Sequence, residues 1–337
     1  MSDRQYRISR RSFLASTTIG ITALAGCNNN SGQVGAAYPS ESLSCIVPFG
    51  QGGGTDTYAR QIMPKLSEVL DVSVAIRNAP GASSLKGTGE LVQTESDGYS
   101  FGVFNPPSTP ISYLVYQPSW DIRSLVPVCT YGQTPYAVFA RSELGVEGLR
   151  DLVERYRTDE LSIFSGLGRG GIVHVAANVM RTEYNLEYDR YVSYGGGGPA
   201  IRAAVSGEVP IVATTDTAAS GAVASGDLEP ITILSSRGSS IFPDAPSPSD
   251  EGFSSIDYIG QLTRCMFLPP GTDTGKRATL EQAVQTALQK NSAQKWAKQT
   301  GNTVEFGDHE AARNALKRSL DTIQQRINID EIMNGDT

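Results

Sequence analysis

The chain has only two histidines, four cysteines and two tryptophans in 337 residues, and these scarcities remove several chemistries. A Ser-His-Asp triad would have to use His174 or His309, and neither has a recognisable partner in the sequence. There is no HExxH for zinc, no GxSxG elbow, and no CxxC or Cys/His cluster. Residues 271–277 look like a P-loop but have the wrong spacing and lack its Ser/Thr. Positive charge is short as well. Lys and Arg number 28 against 35 Asp and Glu, a formal net charge of −7. Residues 1–26 contribute +3 of that sum, so the remainder carries −10. A surface so acidic excludes nucleic acid as a partner, because such binding needs cations to displace counterions. It does not draw anions from a distance either, so an anionic ligand has to be held by short-range groups. No cofactor and no metal are expected.

Long apolar runs are also missing. The stretch 13–26 has 14 residues, too short for a hydrocarbon layer of about 30 Å. With its basic flank it has the layout of a signal peptide. The pair Arg10-Arg11 within Ser9-Arg10-Arg11-Ser12-Phe13-Leu14 resembles the twin-arginine export signal. Leu24-Ala25-Gly26-Cys27 resembles a lipobox, which implies that Cys27 becomes the lipidated first residue of the mature protein. Residues 1–26 are then the signal peptide and 27–37, opening Cys27-Asn28-Asn29-Asn30-Ser31-Gly32, a flexible tether. The expected location is extracytoplasmic, on the cell membrane. Cys45, Cys129 and Cys265 remain. An odd count leaves at least one thiol unpaired, and the three read as small buried hydrophobes.

What the chain does have is glycine, 35 residues of it, much of it clustered. Around the clusters, strand-like and helix-like segments alternate. Strands are expected at 42–48, 72–76, 100–104, within 125–140 (notably 136–140), 161–165, 191–194, 210–214 and 231–235. Helices are expected at 55–70 (Tyr58, Ile62, Leu66 and Val69 at helical spacing, Pro64 inside), 84–95, 149–158, 173–184, 199–205, 280–300 and 310–327. This alternation predicts an α/β protein with parallel sheets covered on both faces. Ligands of such sheets bind beyond the carboxyl ends of the strands. Three Gly-rich turns lie at such ends: 48–56 (PFGQGGGTD), 166–171 (GLGRGG) and 194–199 (YGGGGP). Each puts unpaired amides and the positive end of a helix dipole at one point, an anion site that needs no cationic side chain. A hydrogen bond to a charged group contributes about 1.5–3 kcal/mol. Three or four of them, less the cost of association, reach about 8 kcal/mol, a micromolar affinity.

The segments YPSESLSCIVPFGQGGGTDTYAR (38–60), RNAPGAS (77–83), DGYSFGV (97–103), YGGGGPAIRAAVSGEV (194–209) and SSRGSSIFPDAPSPSDEGF (235–253) occur in one order and spacing. Over 38–327 the chain resembles the substrate-binding receptors of tripartite tricarboxylate transporters, the Bug receptor family. The resemblance implies two Rossmann-like lobes of periplasmic-binding-protein type, joined by crossing strands, with the ligand in the cleft between them. Residues 38–139 and 263–332 are expected to form one lobe and 140–262 the other. It implies a small carboxylate ligand, transfer to multi-span transporter membrane subunits, and a monomer. Two loops would act as pincers, placing Phe49, Gly53, Gly54, Thr55 and Asp56 on one side and Tyr194, Gly196, Gly197 and Gly198 on the other. Asn105, Thr215 and Asp216 would form cleft wall, with Gly168 and Gly171 in the remaining turn. His174 stands where the family often has a histidine; by its own context it reads as a structural residue at a helix start. Gly50-Gln51 replaces the family's usual Ala-Pro, and 195–198 holds more glycine than is usual, so substrate identity does not carry over.

Two rivals remain. Gly166, Gly168 and Gly171 spell GxGxxG, a dinucleotide fingerprint, but not in the first strand–helix unit. A receptor could also present its ligand to a signalling partner. The lipobox reading gives a direct expectation: Cys27→Ser releases the protein from membranes into the soluble fraction, and a variant that still sediments with membranes contradicts it.

Overall fold

A computed structural model of the chain describes residues 38–329. The export motif and Cys27 lie outside the described residues.

The first half begins with β1 (Leu43–Val47), α1 (Gly54–Leu70), β2 (Val74–Asn78), α2 (Leu85–Gln93), β3 (Ser100–Phe104) and α3 (Ser108–Tyr116). The 16-residue strand β4 (Val126–Arg141) then leads into the second half. There follow α4 (Leu149–Arg157), β5 (Ile163–Leu167), α5 (Ile172–Tyr184), β6 (Arg190–Tyr194), α6 (Gly197–Val205), β7 (Ile211–Thr215), α7 (Asp216–Ala224) and β8 (Leu228–Ile233). The chain returns through the one-turn helix α8 (Asp257–Gly260) and β9 (Gln261–Leu268), and ends in α9 (Thr274–Gln289), α10 (Asn291–Thr300) and α11 (His309–Arg326).

The strand order is β2-β1-β3-β9-β4-β7-β5-β6, with β8 also on β4. Within each half the pairs β1–β2, β1–β3, β5–β6 and β5–β7 are parallel. The two central strands run against them. β9 is antiparallel to β3 and β4, and β4 is antiparallel to β7 and β8. β4 pairs with β9 up to Pro135 and with β7 from Tyr136 onward, so one unbroken strand belongs to both halves. These are the crossing strands of a two-lobed α/β fold.

Alternation along each strand feeds two layers of core. In β1, Leu43, Cys45 and Val47 face Tyr58, Ile62 and Leu66 of α1 and Leu280 and Val284 of α9. Ile46 faces the other way, toward Leu91, Leu316 and Leu320. In β4, Tyr136, Val138 and Ala140 meet α4 and α5, while Ala137 and Phe139 meet α6 and α7. Both faces of the sheet are thereby covered. The three cysteines are free and buried in these layers, and burial pushes their thiols up. No helix among the described residues is long and apolar enough to cross a membrane.

Besides the one-turn α8, three elements were not anticipated. The first turn of α3 carries Pro110, which reads as a breaker but is tolerated there. α7 (DTAASGAVA) has no apolar stripe and is held by its cap, the Thr215 Oγ1 that accepts the Ala218 amide. β9 has an arginine in its middle. The single helix expected at 280–300 is two, with Lys290 extended between them.

Phe104 and Phe267 stack at 4.0 Å where β3 meets β9, and both are buried. Phe267→Ala is expected to cost about 3–5 kcal/mol, read as a lower urea midpoint with unchanged slope.

Candidate functional site

The parallel strands of each half end at the same seam, and their turns carry the site. Turn 48–53 leads into α1, whose first residue is Gly54. Turn 194–196 leads into α6 at Gly197, with Pro199 in its first turn. β7 ends at Thr215, which caps α7. The starts of α1, α6 and α7 meet here. The Gly50 amide donates to the Gly195 carbonyl at 2.9 Å, joining the two halves backbone to backbone. A Cβ on Gly198 would lie 2.1 Å from the Gln51 oxygen, and one on Gly196, at φ +157°, would lie 2.7 Å from the Gly50 nitrogen. A Cβ on Gly54 would lie 2.4 Å from Thr215 Oγ1. No side chain fits at these positions.

Beside the seam is a cavity of about 320 Å³, within the range of small-ligand sites. Phe49, Gly168, Gly171, Tyr194 and Gly196 line it, together with the α5 start at Ile172. Two hydrogen bonds close its rim across the halves: Ser83 Oγ at 2.5 Å and Tyr116 Oη at 2.6 Å both donate to the Arg169 carbonyl. Tyr194 donates its hydroxyl to Glu208 at 2.8 Å. Burial and that carboxylate push its phenol up to about 12, so it stays protonated.

The other expected residues lie off the cavity wall. Gly53, Gly54, Gly197 and Gly198 form the seam itself, with Thr215 against Gly54. Asn105 is buried behind it and donates to Thr55 Oγ1 at 2.7 Å. His174 is fully buried; its Nδ1 accepts the Gly170 amide at 3.2 Å and its ring meets Tyr191 edge-on. Asp216 is buried, accepts from Thr217 and Ser239, and faces a separate cavity of about 140 Å³. Burial pushes its carboxyl up. Asp56 accepts from the Gly52 amide (2.9 Å), Arg60 Nε (2.8 Å) and Asn78 Nδ2 (2.9 Å). Its carboxylate ties the first turn to the end of β2.

The cavity also takes in residues that the motifs did not single out. Residues 81–84 wrap one wall, and Ala82, Ser83 and Ser84 there have φ of 44°, 50° and 85°. Three consecutive left-handed residues are costly and persist only where the surroundings hold them. The turn signal at 78–81 marked the place without its conformation. Ser108, Tyr116, Arg169 and Ser193 also line the wall. Among the described residues no group of His, Cys, Asp and Glu could hold a metal ion.

This geometry defines a two-lobed binding protein with its site between the lobes. The model of the tripartite tricarboxylate transporter family receptor matches residues 58–327, and the chain belongs to that family. It is 26% identical to Protein BugT of Bordetella pertussis over 256 residues, 75% of this chain and 78% of that protein. Among solved structures it resembles the periplasmic binding protein BugD, with a TM-score of 0.79, 21% identity, and 86% and 98% of the two chains covered. It also resembles MatC from Rhodopseudomonas palustris with bound malate, with a TM-score of 0.76, 21% identity, and 86% and 99% covered. A third similar structure is an R. palustris protein with adipate, with a TM-score of 0.79, 21% identity, and 88% and 98% covered.

Asp56 supplies a pH test of its locking role. Burial alone would raise its pKa, but the bonds from Arg60, Gly52 and Asn78 outweigh that and hold it below the usual carboxylate range. Its stabilisation is therefore full above the unfolded value of about 3.9 and is lost as pH falls through the folded one. Asp56→Asn is expected to melt at a lower temperature than the wild type at pH 7, and the gap should narrow as pH falls below about 4.

Proposed function

We propose that the protein is a lipid-anchored extracytoplasmic receptor that captures a small di- or tricarboxylate between its lobes and delivers it to multi-span transporter subunits. The observation that carries this reading is the convergence of the α1, α6 and α7 starts from both halves on one seam beside the cavity. Helix starts concentrate free amides and positive dipole ends, so the seam favours an anion although the protein is acidic overall. The structures with malate and adipate support a carboxylate as the anion. The cavity suits a ligand of that size.

Phe49, Gly53, Gly54 and Thr55 act as one pincer and Tyr194, Gly196, Gly197 and Gly198 as the other. Gly168 and Gly171 bound the ligand body. Asn105 and Thr215 back the seam, while Asp56, Asp216 and His174 hold its frame. Residues 38–139 with 263–332 move against 140–262, bending at β4 and β9, the only strands shared by both halves among the described residues. The protein binds and releases its ligand without transforming it, and works as a monomer. Cys27 carries the lipid and 27–37 form the tether.

Gly195 is the residue at which to test the pincers. Its nearest neighbour for a new Cβ is Pro80 at 3.9 Å, whereas at Gly197 a Cβ would press on Thr214 and Ala218 at 2.6 and 2.9 Å. Gly195→Asp therefore adds a negative charge at the cavity wall with room for its Cβ. It is expected to weaken carboxylate binding by roughly 100-fold or more with an unchanged melting temperature. Wild-type affinity by calorimetry would contradict the pincer reading.

A further inference from the structure

The seam conceals a cation that no motif pointed to. Arg264 sits in the middle of β9 and is fully buried. Its Nε donates to Thr134 Oγ1 at 3.0 Å and its Nη1 to Thr55 Oγ1 at 3.4 Å. Its guanidinium lies 3.9 Å over the Tyr58 ring. Nη2 has no hydrogen-bond partner among the described residues. Nor does Arg264 form an ion pair there: Asp216, the carboxylate whose field it feels, spends its oxygens on Thr217 and Ser239. Asn105, which shares Thr55 Oγ1 with Arg264, is also buried and has an unpartnered Oδ1.

A buried guanidinium with an unused donor and no direct ion pair is costly, since buried charges are ordinarily paired. Native exceptions mark a strained, functional or ligand-completed group. The position of Nη2 selects among these. It lies 2.9 Å from where a Cβ on Gly54 would stand, at the first residue of α1, and Thr215 Oγ1 lies 2.4 Å from the same point. Gly54 and Arg264 belong to the first half, Thr215 to the second. Parting the halves along the contacts Gly50–Gly195 and Gly54–Thr215 uncovers Nη2 at the point where helix starts gather.

We infer that Arg264 is the ligand's charged partner: a carboxylate entering the parted seam takes its hydrogen bonds from the amides of the helix starts and its counter-charge from the guanidinium. This rests on the receptor reading above and adds to it a requirement for full negative charge on the bound group. A site of amides alone accepts a neutral carboxamide oxygen with a modest penalty. A site with an unpaired guanidinium discriminates strongly against it, because charge-assisted bonds are about twice as strong as neutral ones. Arg264 is central to β9, so its charge is fixed in place by a crossing strand and does not depend on a flexible side chain at the surface.

The test uses the full chain and its variants with acetate, malate, adipate and citrate as probes, by melting temperature and then by calorimetry. The probe that stabilises the wild type is expected to bind folded Arg264→Met roughly 10- to 100-fold more weakly, the worth of one hydrogen bond to a charged group. Asn105→Asp supplies an internal counter-ion beside the guanidinium. It is expected to raise the melting temperature and to weaken the same probe, opposite effects that a merely structural role for Arg264 does not produce. Unchanged affinity in Arg264→Met overturns the inference. If that variant does not fold, unchanged affinity in Asn105→Asp overturns it. The two readings fail separately: should Gly195→Asp lose the probe while both other variants keep it, the pincers stand and only the role of Arg264 falls. If no probe stabilises the wild type, both fall.

Discussion

Everything about the site depends on how closely two backbones approach each other. The turn at 48–53 and the turn at 194–198 touch through the Gly50–Gly195 hydrogen bond, and a Cβ at Gly196 or Gly198 would stand inside normal contact distance of the opposite main chain. Glycine is the condition for that approach. Once the side chains are gone, what remains at the contact is amides, carbonyls and the starts of α1 and α6. A seam between lobes made of such groups is polar, carries positive potential and has no side-chain bulk to exclude a ligand.

Acidic residues near the seam are taken up by neighbouring donors. Asp56 accepts from three donors that belong to its own turn, to α1 and to β2. Asp216 is bound by Thr217 and Ser239 and turned to another cavity. Their charge is spent on holding the turns in shape. The crossing strands do the corresponding work at larger scale. β4 and β9 pass through both halves, so the lobes share a continuous hydrogen-bonded spine at the base of the cleft. Arg264 stands on that spine.

Much of this architecture could be read from the chain. The strand at 100–104 and the helix beginning at Leu149 lie where periodicity placed them, and most others differ by one to three residues at an end. Periodicity failed where a tertiary contact does its work. α7 lacks an apolar stripe because it packs through alanines, against α6. α3 opens through a proline. β9 hides its strand character behind Arg264, a residue tolerated in a core strand only because Thr55, Thr134 and Tyr58 surround it. The glycine turns were visible as composition. The wall at 81–84 was visible as a turn, but its run of left-handed residues was not, since Ala82 and Ser83 carry no local preference for that conformation.

The sequence by itself determined the local things: which segments alternate, where glycine frees the backbone, and that an acidic chain must hold an anion at short range. These follow from neighbours in the chain, whose periodicity and conformational freedom are local properties. Only the tertiary structure decided which turns meet, that Asp56 and Asp216 are occupied by the frame, and that a fully buried guanidinium lies beneath the α1 start. Those facts depend on pairs far apart in sequence, such as Arg264 with Thr55 and Gly50 with Gly195. Such contacts are set by the closing of the sheet around β4 and β9, and no window of neighbouring residues contains them.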